Sequence, residues 1–541
     1  MPHFKKKIEY YLIFLFFLLL LISLFIFKDY GISIDEESTR YHGLVSFNYI
    51  LEILNKIFGF KVFTNPGYPA LENYEFKEYG VIFELFAVVL EKIFFIDTHN
   101  NIFHFRHLLT NIFFIVGIIF FTKLIFENFN NIYLSLWSGL ILYTSPRIFA
   151  HSFYNSKDII FLTFFIISIY YTFEFLKKKK DKHLLLSCLA LSFLTATRVI
   201  GIYFFIIFIL FLLMEILENK KNKINFKIFL KILIVYFAFT YILWPFLWAD
   251  PINNFIYALS SMSNYGWDGS VYYLGKFHNS YHLPWHYSLV WILVSNSVGI
   301  VVLLLLSLLL FSIRISKRLF NISDKNKNFT LWKSSREYFS YYNIILVLAP
   351  ILLIILNNST LYTGWRHLYF LFPSLLIICT SGIYYLLQLI NKKNKMKLVL
   401  NIFCLFILLI NIFNLIKFHP YQNVYFNFFI EKKANDNFEI DYWGLSNIEI
   451  LKKIASKKKI SNICNSGLMD LGMSKRMLIK KDRDFIIIKG QDFNNCDYII
   501  SNKIYVSNPK YSKKYQIPDN FKKVDGIVRG NIVISSIYKK N

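Results

Sequence analysis

Eleven stretches of this chain are apolar over lengths suited to crossing a bilayer, and nothing else in the sequence limits the fold as much. They lie near 8–27, 104–126, 131–148, 159–176, 184–200, 201–217, 228–248, 287–312, 341–357, 367–390 and 398–416. At 1.5 Å per residue, about 20 apolar residues cross roughly 30 Å of hydrocarbon. Lipid offers the backbone no hydrogen bonds, so each stretch is expected to fold as a helix. Composition agrees, with 55% of the 541 residues hydrophobic. The expected architecture is an α-helical polytopic membrane protein of about eleven transmembrane helices, residues 1–416, followed by a small α/β domain over 417–541. The first run has a basic flank, Lys5-Lys6-Lys7, and no small-residue cleavage site, which makes it an anchor.

The net charge of +26 would suggest nucleic acid in a soluble protein. Here the basic runs are separated by membrane crossings, which excludes that partner. They are Lys5-Lys6-Lys7, Lys177 to Lys180, Lys220-Lys221 with Lys223, Arg314 to Arg318, and Lys392 to Lys397. Such clusters beside spans mark the cytoplasmic side. All five share that side only if the short stretch Val81 to Ile96, which carries Glu84 and Glu91, lies along the interface without crossing. The N-terminus is then cytoplasmic. Loops 28–103, 149–158, the turn at Thr197-Arg198, 249–286, 357–366 and the tail fall outside.

In the tail, 443–456 has helical spacing of Leu445, Ile448, Leu451 and Ile454, and 484–489, 497–501 and 526–537 are β-prone. The tail holds no nucleophile or metal-ligand motif. Cys188, Cys379 and Cys404 sit in apolar runs as small core residues, whereas Cys464 and Cys496 are placed either to pair or to remain free.

The outer loops hold nearly all the unusual polar residues. Asp35-Glu36-Glu37 follows the first span, and Asp35 and Glu36 are the candidate catalytic carboxylates, with Glu37 a solvated neighbour. Arg106-His107 opens the second span, Arg198 lies inside an apolar hairpin, and Arg366-His367 precedes a later span. An arginine at such a depth either snorkels to the interface or meets an anion. Three on one face are best served by one anion, and guanidinium groups grip phosphate bidentately. Arg106, His107, Arg198 and Arg366 are therefore the candidate phosphate ligands. Lys157-Asp158 begins another span; an aspartate there serves as a helix cap or as a second site carboxylate. Lys77, Glu78, Lys157, Asp158 and His367 are candidates to position substrates. No cofactor is called for. Carboxylates without His or Cys at ligand spacing admit a divalent metal without naming one.

These residues also carry a resemblance. The Asp35-Glu36 pair after the first span, Lys77-Glu78-Tyr79-Gly80 before an interfacial helix, Arg106-His107-Leu108-Leu109, and Ser145-Pro146 followed by Asp158 resemble the GT-C class of membrane glycosyltransferases. The matching branch contains the protein O-mannosyltransferases and the lipid A aminoarabinose transferase. Trp244-Pro245 to Pro251, Leu283-Pro284-Trp285-His286 and Gly364-Trp365-Arg366-His367 are similar to bacterial members, as are His419-Pro420-Tyr421-Gln422 and Asp441-Tyr442-Trp443-Gly444 in the tail. The resemblance implies a bacterial inner or plasma membrane, a polyprenyl-phosphate sugar donor, an inverting transfer, and Asp35 as general base with Glu36 beside it. The tail lacks the sugar-binding repeats of eukaryotic O-mannosyltransferases, which leaves glycolipid, glycan and protein open as acceptors. A transporter or flippase of a lipid-linked glycan is the alternative. It needs basic groups at membrane depth too, but the chain shows no internal repeat, and its polar groups gather at one face.

Overall fold

In the computed structural model, residues 2–59, 64–218, 226–263, 265–320, 334–391, 393–467, 469–502 and 512–541 are described. Lys220, Lys221, Lys223 and Lys392 of the basic runs lie outside them. Sixteen helices cover the first part of the chain. They are α1 (Pro2–Ile26), α2 (Ile34–Phe58), α3 (Ile82–Ile93), α4 (His99–Phe129), α5 (Ile132–Thr144), α6 (Pro146–Tyr154), α7 (Ser156–Lys178) and α8 (Asp181–Thr197). There follow α9 (Gly201–Glu218), α10 (Phe226–Leu243), α11 (Pro251–Ser263), α12 (Tyr287–Val294), α13 (Val298–Phe320), α14 (Ser335–Leu356), α15 (Leu371–Leu389) and α16 (Asn394–Phe418). Among the described residues, seven helices are long and apolar enough to cross a membrane: those of α1, α4, α7, α13, α14, α15 and α16. The chain is an integral, multi-pass membrane protein.

All eleven apolar stretches are largely helical, but three are broken. The stretch 228–248 leaves the α-helix after Leu243, where Trp244 is extended and Pro245–Trp248 form a short 3-10 turn. The stretch 131–148 stops at Thr144 because Pro146, which lacks a backbone N–H, restarts the chain as α6 at its first helical position. The stretch 287–312 divides at Ser295-Asn296-Ser297 into α12 and α13. The stretch at Val81 to Ile96 forms α3, only 12 residues long. Phe83, Glu84, Ala87, Val88 and Glu91 face the protein, while Phe86, Val89 and Ile93 are exposed and Phe94 and Phe95 follow them. That is an amphipathic helix with one lipid-suited face.

The spans α7 and α15 are the most enclosed, while α1, α13 and α16 lie at the edge. Close approach depends on small residues: Gly117 of α4 rests on Thr163 of α7, and a Cβ on Gly382 of α15 would strike Ser307 of α13. Polar pairs bridge helices inside the bundle, among them Ser138 with Thr380 (2.9 Å) and Ser374 donating to Asn343 (2.9 Å).

Outside the bundle, β1 (Ser270–Tyr273) and β2 (Lys276–Asn279) form an antiparallel hairpin. The tail folds as a five-stranded mixed sheet from β3 (Ser461–Asn465), β4 (Ile486–Ile488), β5 (Tyr498–Ser501), β6 (Phe521–Arg529) and β7 (Ile532–Lys540), in the order β4-β3-β5-β7-β6. The run 526–537 is not one strand: Gly530, at φ +57°, turns it into the β6–β7 hairpin. The tail helix spans Asn447–Ala455, so Trp443 and Leu445 lie before it. Cys464 and Cys496 are paired in a disulfide.

Before its sheet, the tail sends a strap across the bundle from His419 to Ser446. Asn427 accompanies it, its N–H donating to the Val294 carbonyl (2.9 Å). Arg147 of α6 donates through Nε to the Tyr425 carbonyl (2.8 Å), with its guanidinium packed against the adjoining rings of Trp291 and Phe426. Membrane part and tail share one continuous core.

Candidate functional site

Four charged side chains meet where α2, α7, α8 and the turn before α15 converge. Asp158 sits in the first turn of α7, held by its own cap: the Asn155 side chain accepts from the Asp158 N–H (3.0 Å) and donates to Asp158 Oδ2 (2.7 Å). The capping expectation for Asp158 and its site role are therefore compatible. Arg198, which ends α8 in extended conformation, forms an ion pair through Nη2 with Asp158 Oδ1. Arg366 reaches Asp158 Oδ2 through Nη1 (3.3 Å) and Asp35 Oδ2 through Nη2 (3.5 Å). One guanidinium thus bridges two carboxylates from different parts of the chain.

Their exposures differ, and the difference assigns them. Asp158 and Arg366 are buried, whereas the side chains of Asp35 and Arg198 are 44% and 24% exposed. Asp35 is the more exposed of the two carboxylates. Glu36, one residue on, is consumed by structure: Oε2 accepts the Ser33 N–H (2.6 Å) as half of a capping box on α2, and Oε1 meets Nε2 of the fully buried His107 (2.8 Å). Glu37 pairs with Arg476 of the tail.

Arg366 is placed by its surroundings. Gly364, at φ +72°, makes a left-handed turn that a side chain would strain, and Thr363 Oγ1 accepts from Arg366 Nε (2.5 Å). The guanidinium packs on two rings, Tyr362 and Trp443, each at 5.0 Å. His367 stands edge-on to Tyr362 with ring centroids 4.7 Å apart.

A second layer surrounds the cluster. Lys157 puts Nζ 3.8 Å over the Tyr79 ring, whose other stacking partner is His42 (5.1 Å, 9° between planes). Burial, with the nearby Lys157 charge, pushes His42 down to about 2, and its Nδ1 meets the Tyr74 hydroxyl at 2.6 Å. Tyr79 can come this close because Gly80 carries no Cβ; one would strike the Ala196 and Thr197 carbonyls at the end of α8. Burial likewise holds His151 neutral, well below its ordinary value. His151 Nδ1 meets Asn155 Nδ2 (2.9 Å) and its Nε2 meets the Tyr442 hydroxyl (3.2 Å).

Besides Glu36, four sequence-derived candidates stand apart from the cluster. Arg106 does not join the other two arginines: Nη1 and Nε are held by Glu84 and Glu91 of α3, and Glu91 also binds Arg40 (2.9 Å). Lys77 is turned outward, donating to the Glu72 carbonyl (2.7 Å), and Glu78 accepts from Ser261 (3.0 Å). His107 serves Glu36. Tyr79, Tyr442 and Trp443 stand in motifs of the sequence, and His151 and Asn155 in the polar loop before Asp158, but nothing in the sequence placed them around the charges, and Tyr362 carried no signal.

Among the described residues, no group of three or more His, Cys, Asp or Glu could hold a metal ion. Both oxygens of Asp158 are already engaged by guanidinium groups and Asn155, so a divalent cation there would have to displace them.

The chain is similar to the crystal structure of ArnT from Cupriavidus metallidurans bound to undecaprenyl phosphate, with TM-score 0.45, 11% identity, and 97% of each chain covered. It is also similar to the apo state of that protein, with TM-score 0.44, 11% identity, and coverage of 96% of this chain and 97% of the other. No family model matches the sequence, and no curated protein matches it.

Proposed function

We propose that this chain is a glycosyltransferase that moves a sugar from a polyprenyl-phosphate donor to a lipid, glycan or protein acceptor at the outer face of the membrane. The observation that carries the reading is the convergence of Arg198 and Arg366 on Asp158, with the exposed Asp35 carboxylate on the other edge of Arg366. A guanidinium pair beside an accessible carboxylate provides both halves of a displacement at an anomeric carbon.

Asp35 takes the proton of the acceptor hydroxyl as its oxygen bonds to the anomeric carbon. The bond from that carbon to the phosphate oxygen breaks, and its electron pair leaves with the polyprenyl phosphate. Attack opposite the departing oxygen inverts the configuration. The leaving phosphate gains charge, and Arg198 and Arg366 stabilise it most where that charge is largest. Asp158 keeps the two guanidinium groups fixed and partly neutralised before the donor arrives. Lys157, on the Tyr79 face, adds a positive charge beside Asp35, and His367 lines the same side. The Cys464–Cys496 disulfide favours an oxidising compartment for the tail, and the basic inner loops favour the opposite side for themselves.

The test is mass spectrometry of envelope glycolipids and glycoproteins from cells with the wild-type chain, without it, and with Asp35→Asn. One sugar modification is expected to disappear in both altered strains. Identical sugar profiles in all three would remove the reading.

A further inference from the structure

The Arg366 guanidinium owes one of its two aromatic neighbours to a residue far along the chain. Tyr362 is local, in the turn that carries Arg366, whereas Trp443 comes from the strap that follows the last span. We propose that Trp443 is a positioning residue that fixes the plane of Arg366 between Asp35 and Asp158, so that the tail completes the site. The kinetic part of this proposal rests on the glycosyltransferase reading; the geometric part does not.

Three residues of one short segment support it: Trp443 touches Arg366, Tyr442 is linked to Asp158, and Glu439 lies at the turn that carries Arg366. Trp443 itself is buried, its ring against Arg366, His151 (4.9 Å) and Tyr154 (5.7 Å). Tyr442 reaches Asp158 through a hydrogen-bonded chain: its hydroxyl to His151, His151 to Asn155, Asn155 to Asp158. Glu439 Oε1 accepts from the Tyr272 N–H of β1 (3.1 Å), and its carboxylate lies near the Thr363 backbone, in the turn whose hydroxyl holds Arg366 Nε.

The segment is built to hold that pose. Gly444 turns at φ +68°, and the Asp441 carboxylate accepts from the N–H groups of Leu445 (3.1 Å) and Ser446 (3.0 Å) and from the Ser446 hydroxyl (2.5 Å). The Asn502 amide beside β5 donates to the Asp441 carbonyl (3.1 Å), tying the strap to the sheet. A guanidinium packed on two rings keeps its charge while losing freedom to turn, which is what a two-carboxylate bridge and a phosphate fork both require.

The bland account is that Trp443 merely packs the junction of tail and bundle. Two measurements on the full-length chain in detergent separate them. Phenylglyoxal labelling of Arg366, read by peptide mass spectrometry, needs no activity. In Trp443→Ala it is expected to rise about tenfold, with Trp443→Phe returning it most of the way because a ring face is restored. A double-mutant cycle with Arg366→Lys reads the coupling: Trp443→Ala should lower kcat about tenfold in the wild-type background and hardly further in Arg366→Lys. If Trp443→Ala does not elute as a folded monodisperse species, Trp443→Leu takes its place in both measurements. Unchanged Arg366 labelling, or an equal kcat loss in both backgrounds, would overturn the proposal. Raised labelling in a chain that transfers no sugar would leave the positioning intact and remove the glycosyltransferase reading instead.

Discussion

Two arginines with the same promise in the sequence have different lives in the fold. Arg106 is closed into α3 by Glu84 and Glu91, while Arg366 bridges Asp35 and Asp158 at a site with an accessible edge. Arg106→Gln leaves the buried Glu84 without a cation and Glu91 with Arg40 alone, and breaking such a buried pair costs about 3–5 kcal/mol. A marked drop in the unfolding temperature of the purified protein is expected. Arg366→Lys keeps the charge and loses the planar fork, so turnover should fall while the unfolding temperature stays near wild type. Asp35→Asn keeps the shape of the side chain and removes the proton acceptor; transfer should fall by about 100-fold or more without loss of folded protein. The sequence displayed Arg106, Arg198 and Arg366 as three equals because a charge near the end of an apolar run is visible in one dimension and its partner is not. A signal for Arg106 did exist. Glu84 and Glu91 are seven residues apart in a short helical stretch, which puts both on one face ready for a single cation.

At the scale of elements, breaks in regular structure deliver the site. Ser145-Pro146 ends α5 early, giving the short helix α6 and then the Asn155 cap that aims Asp158. The proline marked that break, yet the expected span 131–148 ran through it. The division at Ser295-Asn296-Ser297 was not legible, since no proline or glycine marks it. Strand β3 was missed because Asn462 and Asn465 interrupt its apolar run. The loop before α3 depends on Gly80 lying against the end of α8. Gly80→Ala forces a methyl group into the Ala196 and Thr197 carbonyls, so Tyr79 and Lys157 should withdraw from the cluster and donor binding should weaken. The check is the dissociation constant for a polyprenyl-phosphate sugar, together with a melting curve showing the bundle intact. For α3, a nitroxide placed at Phe86 should meet lipid-dissolved oxygen more readily than a water-soluble nickel complex, and one at Phe83 neither.

At the scale of the molecule, membrane part and tail act as one body, and Glu439 marks their seam. Burial pushes its carboxyl up to about 7 from an ordinary value of 4.5, with the Tyr272 and Thr363 N–H groups only partly opposing. The folded chain therefore holds a proton that the unfolded chain releases between those values. Stability from this group is full at the acid end and falls as pH rises through about 7. Melting temperatures of the full chain across that window should show the decline, and Glu439→Gln should flatten it. A reporter fused after Lys540 is expected to act only outside the cytoplasm; cytoplasmic activity would invert the arrangement of loops. The helical bundle was legible because hydropathy is written locally along each span. The tail's share in the site was not. Trp443 looked like the start of a helix, and its real partner, Arg366, lies on the far side of α15 and α16 in the chain.

That long separation between Arg366 and Trp443 also sets a clock on biogenesis. The ribosome finishes every span before it reaches Trp443, and the strap then has to fold back across the bundle. Until it does, Arg366 has the Tyr362 ring and nothing of the tail. A newly inserted chain thus carries Arg366 in an unfinished arrangement, and its second ring arrives only after α16 has been made.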